Sequence, residues 1–224
     1  MARHVALITG AAGGLGSALA KQLARAGSDL LLVDKNTRAL ESLSDELIGA
    51  GLPEPGICTM DLATAVPGDY DQLAAILRDE YKGMDAFIHC AVAFGGLQPM
   101  EQIAPAQWQE CFTVNLMSAV QIICICGPML RSDGGGKVVL IQDNAKVSSS
   151  AYWGPYGVSK AALSSLAAIL SEELEEGNLE LIRITPEPMR TDLRARAYLA
   201  EDPNTIASPE QEASRIVSLL GRDR

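Results

Sequence analysis

Tyr156 and Lys160 stand four residues apart at the start of a helical pattern. That spacing puts both side chains on one face, one turn apart. An ammonium near a phenol stabilises the phenolate, and a tyrosine tuned in this way passes a proton to or from a substrate oxygen. Alone, the pair is ordinary surface chemistry. Its weight comes from its position, after a fifth apolar strand segment in a chain that opens with a phosphate cradle.

The cradle is the stretch Gly10-Ala11-Ala12-Gly13-Gly14-Leu15-Gly16, which follows an apolar run ending at Thr9 and leads into a helical pattern. Its glycines let the backbone turn tightly and approach a pyrophosphate closely. Free N–H groups at the helix start then face the phosphate charge. Gly10, Ala12, Gly14, Leu15 and Gly16 are the candidate contacts. The next apolar run ends at Val33-Asp34. A carboxylate there accepts hydrogen bonds from both ribose hydroxyls and repels a 2′-phosphate. NAD(H) is therefore the expected cofactor. Lys35, beside Asp34, leaves NADP(H) allowed.

These residues need elements to hold them. Apolar runs over 4–9, 29–33, 54–60, 85–90, 136–142 and 178–184 read as strands, most of them apolar throughout, as strands covered on both faces are. Helical patterns lie between them over 14–26, 37–50, 70–81, 105–130, 155–176 and 209–220. Gly27, Gly51, Gly83 and Gly177 sit just past helix ends, where a left-handed cap favours glycine. This alternation predicts an α/β fold of the Rossmann type: a doubly wound parallel sheet in three layers, with six strands. With no repeat or linker in view, residues 1–224 read as one domain.

The bulk numbers set limits. Hydrophobic residues make up 48% and charged residues 21%, enough for a sizeable core without disulfides. A net charge of -10 argues against a nucleic-acid groove, which needs a basic stripe. Cys58, Cys90, Cys111, Cys124 and Cys126 form an odd set without metal-ligand spacing, so reduced, mostly buried thiols are expected and no metal. The first apolar run is too short for a signal peptide or a membrane span, which predicts a soluble, cytoplasmic protein without a membrane partner.

Taken together, the chain resembles the short-chain dehydrogenase/reductase family over nearly its whole length. Thr9-Gly10-x-x-x-Gly14-x-Gly16 is similar to that family's cofactor signature, and Tyr156-Gly157-Val158-Ser159-Lys160 to its active-site signature. Asp61-Leu62 resembles the adenine-contacting pair, and Asn115 the helix Asn that supports a water bridging to the Lys. Thr191 resembles the Thr that contacts the nicotinamide carboxamide. Trp153, Arg190-Thr191 and Glu201-Asp202-Pro203 carry a narrower likeness to bacterial oxoacyl-carrier-protein reductase-like oxidoreductases.

The resemblance implies hydride transfer between NAD(P)(H) and a small-molecule carbonyl/alcohol substrate. Lys160 would bind the nicotinamide ribose and Tyr156 would supply or remove the proton. It also implies a substrate lid over 190–208 and dimer packing through the helices covering 119–130 and 161–170. The family's seventh strand has no counterpart, which favours a homodimer over a tetramer. Within the lid, Arg194, Arg196 and Tyr198 either meet an anionic substrate or form a solvated helix face.

Four departures stand out. The family's active-site Ser, about 13 residues before the Tyr, is Asp143 here. An ionised carboxylate only accepts hydrogen bonds, so it cannot polarise a carbonyl and it opposes a nearby phenolate. Three substitutes present themselves: Asp143 protonated by burial, the Asn144 amide, or one of Ser148, Ser149 and Ser150. Asn144 ranks first, since it needs neither a large pKa shift nor a long reach. The family's Asn-Ala-Gly beside the cofactor is Cys90-Ala91-Val92, preceded by His89, and its Pro-Gly is Pro186-Glu187. With the seventh strand, these changes leave a second reading open: a nucleotide-binding sensor or scaffold with little or no turnover.

Overall fold

The computed structural model describes residues 4–132, 136–173 and 179–221. Six parallel strands form one sheet in the order β3-β2-β1-β4-β5-β6. They are β1 (Val5–Thr9), β2 (Asp29–Asp34), β3 (Gly56–Thr59), β4 (Ala86–His89), β5 (Lys137–Ile141) and β6 (Glu180–Ile184). Side chains alternate along each central strand, so the two faces draw on different residues. Leu7, Leu31, Phe87 and Leu140 pack under α3 (Pro67–Asp79), α5 (Ser118–Ser132) and α7 (Gly154–Glu173), while α4 (Pro105–Phe112) packs on α7. Ile8, Leu32, Ile88 and Val139 pack under α1 (Gly14–Arg25), α2 (Thr37–Gly49) and α9 (Pro209–Leu219). Both faces of the inner strands are dry, which is why those strands read as continuous apolar runs. The strand order reverses between β1 and β4, and the crevice beyond the strand ends at that switch is where doubly wound sheets bind ligands.

Several boundaries differ from expectation. Helix α3 starts at Pro67, with Pro at its first turn and the Asp69 carboxylate accepting from the Val66 N–H at 2.8 Å. Reading the apolar pattern alone missed that start signal. The edge strand β3 is shorter than expected and alternates between half-buried and exposed residues, since one side has no neighbour. The helix expected over 105–130 is interrupted by a π-turn at Thr113–Met117, between α4 and α5. Its stretch Pro105–Leu130 is apolar and long enough, by composition, to cross a membrane. Its buried side chains Val114, Ala119, Ile122, Cys126 and Leu130 belong to the core under the sheet. Two short helices, α6 (Ala145–Ser148) and α8 (Asp192–Ala197), escaped the periodicity because each is too short to show one. The expected cap at Gly177, the junction over 174–178 and the tail over 222–224 lie outside the described residues.

Candidate active site

The cradle sits in the crevice at the end of β1. Gly10 has φ +64, and a Cβ there would lie 2.6 Å from the Ala91 nitrogen, so only glycine lets this turn meet the loop after β4. At Gly16 a Cβ would lie 2.1 Å from the Gly10 carbonyl oxygen, which brings α1 hard against the turn. The start of α1 has neither a side-chain cap nor an acidic residue in its first turn. Its orphan N–H groups and positive dipole end are left for an external anion. Thr191 lies across the mouth, its methyl 2.9 Å from the position a Gly14 Cβ would take, while its hydroxyl caps α8 by accepting from Arg194 N–H at 3.2 Å. These residues fit a dinucleotide.

Asp34 ends β2 with both oxygens turned to backbone: Oδ2 accepts from Ala12 N–H at 3.1 Å and Oδ1 from Asn36 N–H at 3.0 Å. Each oxygen keeps a further lone pair for a ribose hydroxyl. Asp61 is exposed, accepting from Ala63 N–H at 3.0 Å, and Leu62 beside it is buried. Ala91 is buried against the cradle, Cys90 is half-buried above β4, and Pro186 stands half-buried after β6.

Across the crevice, the sequence-predicted catalytic residues come together around the start of α7. The Tyr156 hydroxyl donates to Asp143 Oδ2 at 2.5 Å, and Asp143 Oδ1 accepts from Asn144 N–H at 2.7 Å. Burial first, then the Asp143 charge and hydrogen bond, push the Tyr156 phenol well above the ordinary tyrosine range. Lys160 Nζ donates to the Ile141 carbonyl at 2.8 Å and lies 6.0 Å from the Tyr156 ring centre. Burial pushes the Lys160 ammonium down to about 8, against the pull of Asp143 and Cys90. Asp143 therefore stands beside Tyr156, where the resemblance implies a Ser.

The expected substitute does not. Asn144 is exposed and caps α6, its Oδ1 accepting from Lys146 N–H at 2.9 Å, so the carboxylate next to it holds the tyrosine instead. Ser150 turns to the Lys146 carbonyl at 2.5 Å. Asn115 lies buried inside the π-turn. It accepts from Ala93 N–H at 2.6 Å and donates to the Ala93 carbonyl at 2.9 Å and to Ser159 Oγ at 2.8 Å. The Ser159 hydroxyl donates in turn to the Tyr156 carbonyl at 2.8 Å. This chain of bonds ties the loop after β4 to the start of α7. No local pattern announces these bonds, because a π-turn has no residue signature; the resemblance pointed to Asn115 and left its partners unnamed.

His89 ends β4 with 1% exposure. Its Nδ1 pairs with Thr9 Oγ1 at 2.9 Å, and its Nε2 is buried with no hydrogen-bond partner among the described residues. Burial, then the Lys160 charge, depress its pKa to about 3. An unfolded chain takes up this proton near 6.5. The stability tied to neutral His89 is therefore present above 6.5 and lost as pH falls towards 3. His89→Asn is expected to flatten the acid-side fall in Tm, read calorimetrically at about pH 7.5 and about pH 4.5. An equal fall in wild type and variant would remove this role.

The segment 190–208 rests directly on the tyrosine through Ala197. Phe94, Trp153, Tyr156 and Ala197 form a small apolar cluster, with the Phe94 and Trp153 rings each 5.4 Å from the Tyr156 ring. Arg194 is committed to Glu201 through two bonds of 2.7 and 2.6 Å and lies 3.6 Å from the Tyr198 ring centre. Arg196 lies over Phe94. Arg194 has its partners within 190–208 and Arg196 has the Phe94 ring, so an anionic substrate is not what holds them there. A cleft of about 490 Å³, lined by residues such as Met100, Ile103, Tyr152 and Gly154, opens two residues before Tyr156. The cysteines are free, with Cys111 and Cys126 buried and Cys124 exposed, and no metal-ligating cluster occurs among the described residues.

A six-stranded doubly wound sheet with a bare glycine-lined helix start and a Tyr-Lys pair facing it defines a Rossmann-fold oxidoreductase. The short chain dehydrogenase family model matches residues 4–202, and the chain belongs to that family. It is 27% identical to the oxidoreductase YciK of Escherichia coli K12, covering 98% of this chain and 87% of that protein. A solved short chain dehydrogenase from Pseudomonas syringae superposes with a TM-score of 0.89 at 31% identity, over 93% of this chain and 85% of that one. Another, from Escherichia coli CFT073 and solved with NADPH, has a TM-score of 0.88 at 28% identity, over 97% and 88%.

Proposed function

We propose that this protein transfers a hydride between NAD(P)(H) and a carbonyl/alcohol substrate, with Tyr156 passing the substrate's proton and Lys160 assisting. The observation that carries this reading is the Tyr156 hydroxyl at the end of β5, one helical turn from a buried Lys160, across the crevice from the uncapped start of α1. When bound, the nicotinamide supplies or accepts the hydride. Gly10, Gly14 and Gly16 admit the pyrophosphate, Asp34 receives the adenosine ribose, and Lys160 faces the nicotinamide ribose. The cleft beside Gly154 offers room for the non-reacting part of the substrate. The exposed Ile169 of α7 suits packing against a second copy.

The cofactor preference is contested. The relative solved with NADPH favours the phosphorylated coenzyme, and it runs against the NAD(H) preference expected from Asp34. At this position a carboxylate and a 2′-phosphate repel each other whatever the rest of the fold prefers. Asp34→Ala should therefore shift the affinity ratio towards NADPH by about tenfold or more, about 1.4 kcal/mol. Titration calorimetry of both proteins with NADH and NADPH, followed by a carbonyl and alcohol screen, tests the reading. An unchanged ratio would remove the role given to Asp34. Folded protein that saturates with neither coenzyme would end the oxidoreductase proposal. Coenzyme binding without turnover is the second reading. One observation favours it: a carboxylate holds the phenol that should serve the substrate.

A further inference from the structure

Resting on the oxidoreductase reading, we infer that Asp143 is the acceptor of the Tyr156 proton, and that the site therefore takes its substrate as an alcohol, whose hydroxyl donates to Tyr156 and which leaves as the carbonyl compound. Tyrosine has one hydroxyl proton. Here it points at Asp143 Oδ2, and the other carboxylate oxygen is held by the Asn144 N–H, so Asp143 is oriented by the turn to accept. What Tyr156 Oη offers an incoming substrate is then lone pairs. A carbonyl finds no donor in that arrangement. A hydroxyl finds an acceptor.

The step balances. The substrate O–H bond breaks and its proton bonds to Tyr156 Oη, while the original Tyr156 proton moves to Asp143 Oδ2. The O–H electron pair becomes the second bond of C=O. The carbinol hydride goes to an oxidised nicotinamide coenzyme, which is reduced as the alcohol is oxidised. Asp143 is only half-buried, so its proton can reach solvent. Other groups face this pair. Lys160 lies below it on α7, and Tyr198 comes from the lid. Cys111 stands on α4, and Cys90 and His89 at the end of β4 face Lys160. Lys160 brings the positive charge, 6.0 Å from the Tyr156 ring, while the Asp143 charge opposes the phenolate, so at rest the proton stays on Tyr156 and points at Asp143. Asp143 acts through Tyr156 and so is a positioning residue with a proton-accepting role.

The test uses the full chain labelled with ¹³Cζ-tyrosine, with the Tyr156 signal assigned from Tyr156→Phe, in wild type, Asp143→Asn and Asp143→Ser. In wild type, Tyr156 should stay a phenol from about pH 6 to about pH 11. In both variants it should ionise at least about two pH units lower than in wild type, because the opposing charge is gone. A residue with a merely structural role would not move this signal, so coincident titrations in the three proteins would overturn the proposal. In a second arm, 2-propanol and acetone are titrated into protein loaded with the oxidised coenzyme. The alcohol should shift the wild-type Tyr156 signal at lower concentration than the ketone, and Asp143→Ser should reverse the order. No preference for 2-propanol in wild type would also overturn it. Titration shifts as expected in protein that binds neither coenzyme would sink the oxidoreductase reading and leave the Asp143–Tyr156 hydrogen bond standing.

Discussion

Tyr156→Phe is expected to lower turnover by about 10²–10⁴-fold, the usual contribution of a positioned proton donor or acceptor. Coenzyme affinity should change by less than about threefold, under about 0.7 kcal/mol. The substitution removes one oxygen from a side chain with 4% exposure and keeps the ring packed between Phe94 and Trp153. The apolar cluster under the lid therefore survives. One cost follows from the geometry: Asp143 loses the hydroxyl that donates to Oδ2. That oxygen is near the surface, where water can replace the lost partner. Steady-state rates on the substrate found in the screen, with NADH and NADPH titrations of the same sample, check both halves of the prediction. Turnover that persists in the variant would dispose of Tyr156 as the proton-transfer group, with or without Asp143.

Gly16→Ala should have the second large effect, and on binding instead of chemistry. The new methyl would lie 2.1 Å from the Gly10 carbonyl oxygen and 2.9 Å from the Ala11 Cα, both backbone atoms that cannot rotate away. Helix α1 has to move off the turn. Its partners resist, since α1 buries Leu19 and Leu23 against α9 and the sheet. Overpacking of this kind costs about 1–3 kcal/mol of stability. The displaced helix start then aims its N–H groups away from the pyrophosphate. Affinity for both coenzymes should fall by at least about 100-fold, about 2.7 kcal/mol, in protein whose far-ultraviolet circular dichroism still matches wild type. Wild-type affinity in the variant would mean that the cradle is not the binding site. Loss of fold would leave the same question to Gly14→Ala, whose methyl would meet the side chains of Thr191, at 2.9 Å, and Pro209, at 3.6 Å.

The two variants separate the halves of the site. One keeps the coenzyme and loses the proton; the other keeps the tyrosine and loses the coenzyme. A protein that merely bound nucleotide would respond to Gly16→Ala and be indifferent to Tyr156→Phe.

Much of this arrangement was legible in the chain itself. Apolar runs at strand length, separated by helical periods, determined a parallel sheet covered on both faces, because only doubly buried strands can be apolar at every position. The glycine turn marked a candidate phosphate site, since its chemistry is local: backbone freedom and orphan N–H groups depend on a few consecutive residues. Asp34, Tyr156 and Lys160 stood out as candidates for the same reason, each defined by its distance along the chain from an element end. Tertiary structure decided what depends on residues far apart. It turned Asp143 onto Tyr156 and sent Asn144 to cap α6, a choice between adjacent side chains that the turn geometry makes. It placed Asn115 in a π-turn, where it ties Ala93 to Ser159. It used Arg194 on Glu201 and Tyr198 and Arg196 on Phe94. Hydrogen bonds and ring contacts of this kind join segments that no sequence period relates, so the donor and acceptor roles around the reacting oxygen emerge only once the chain is folded.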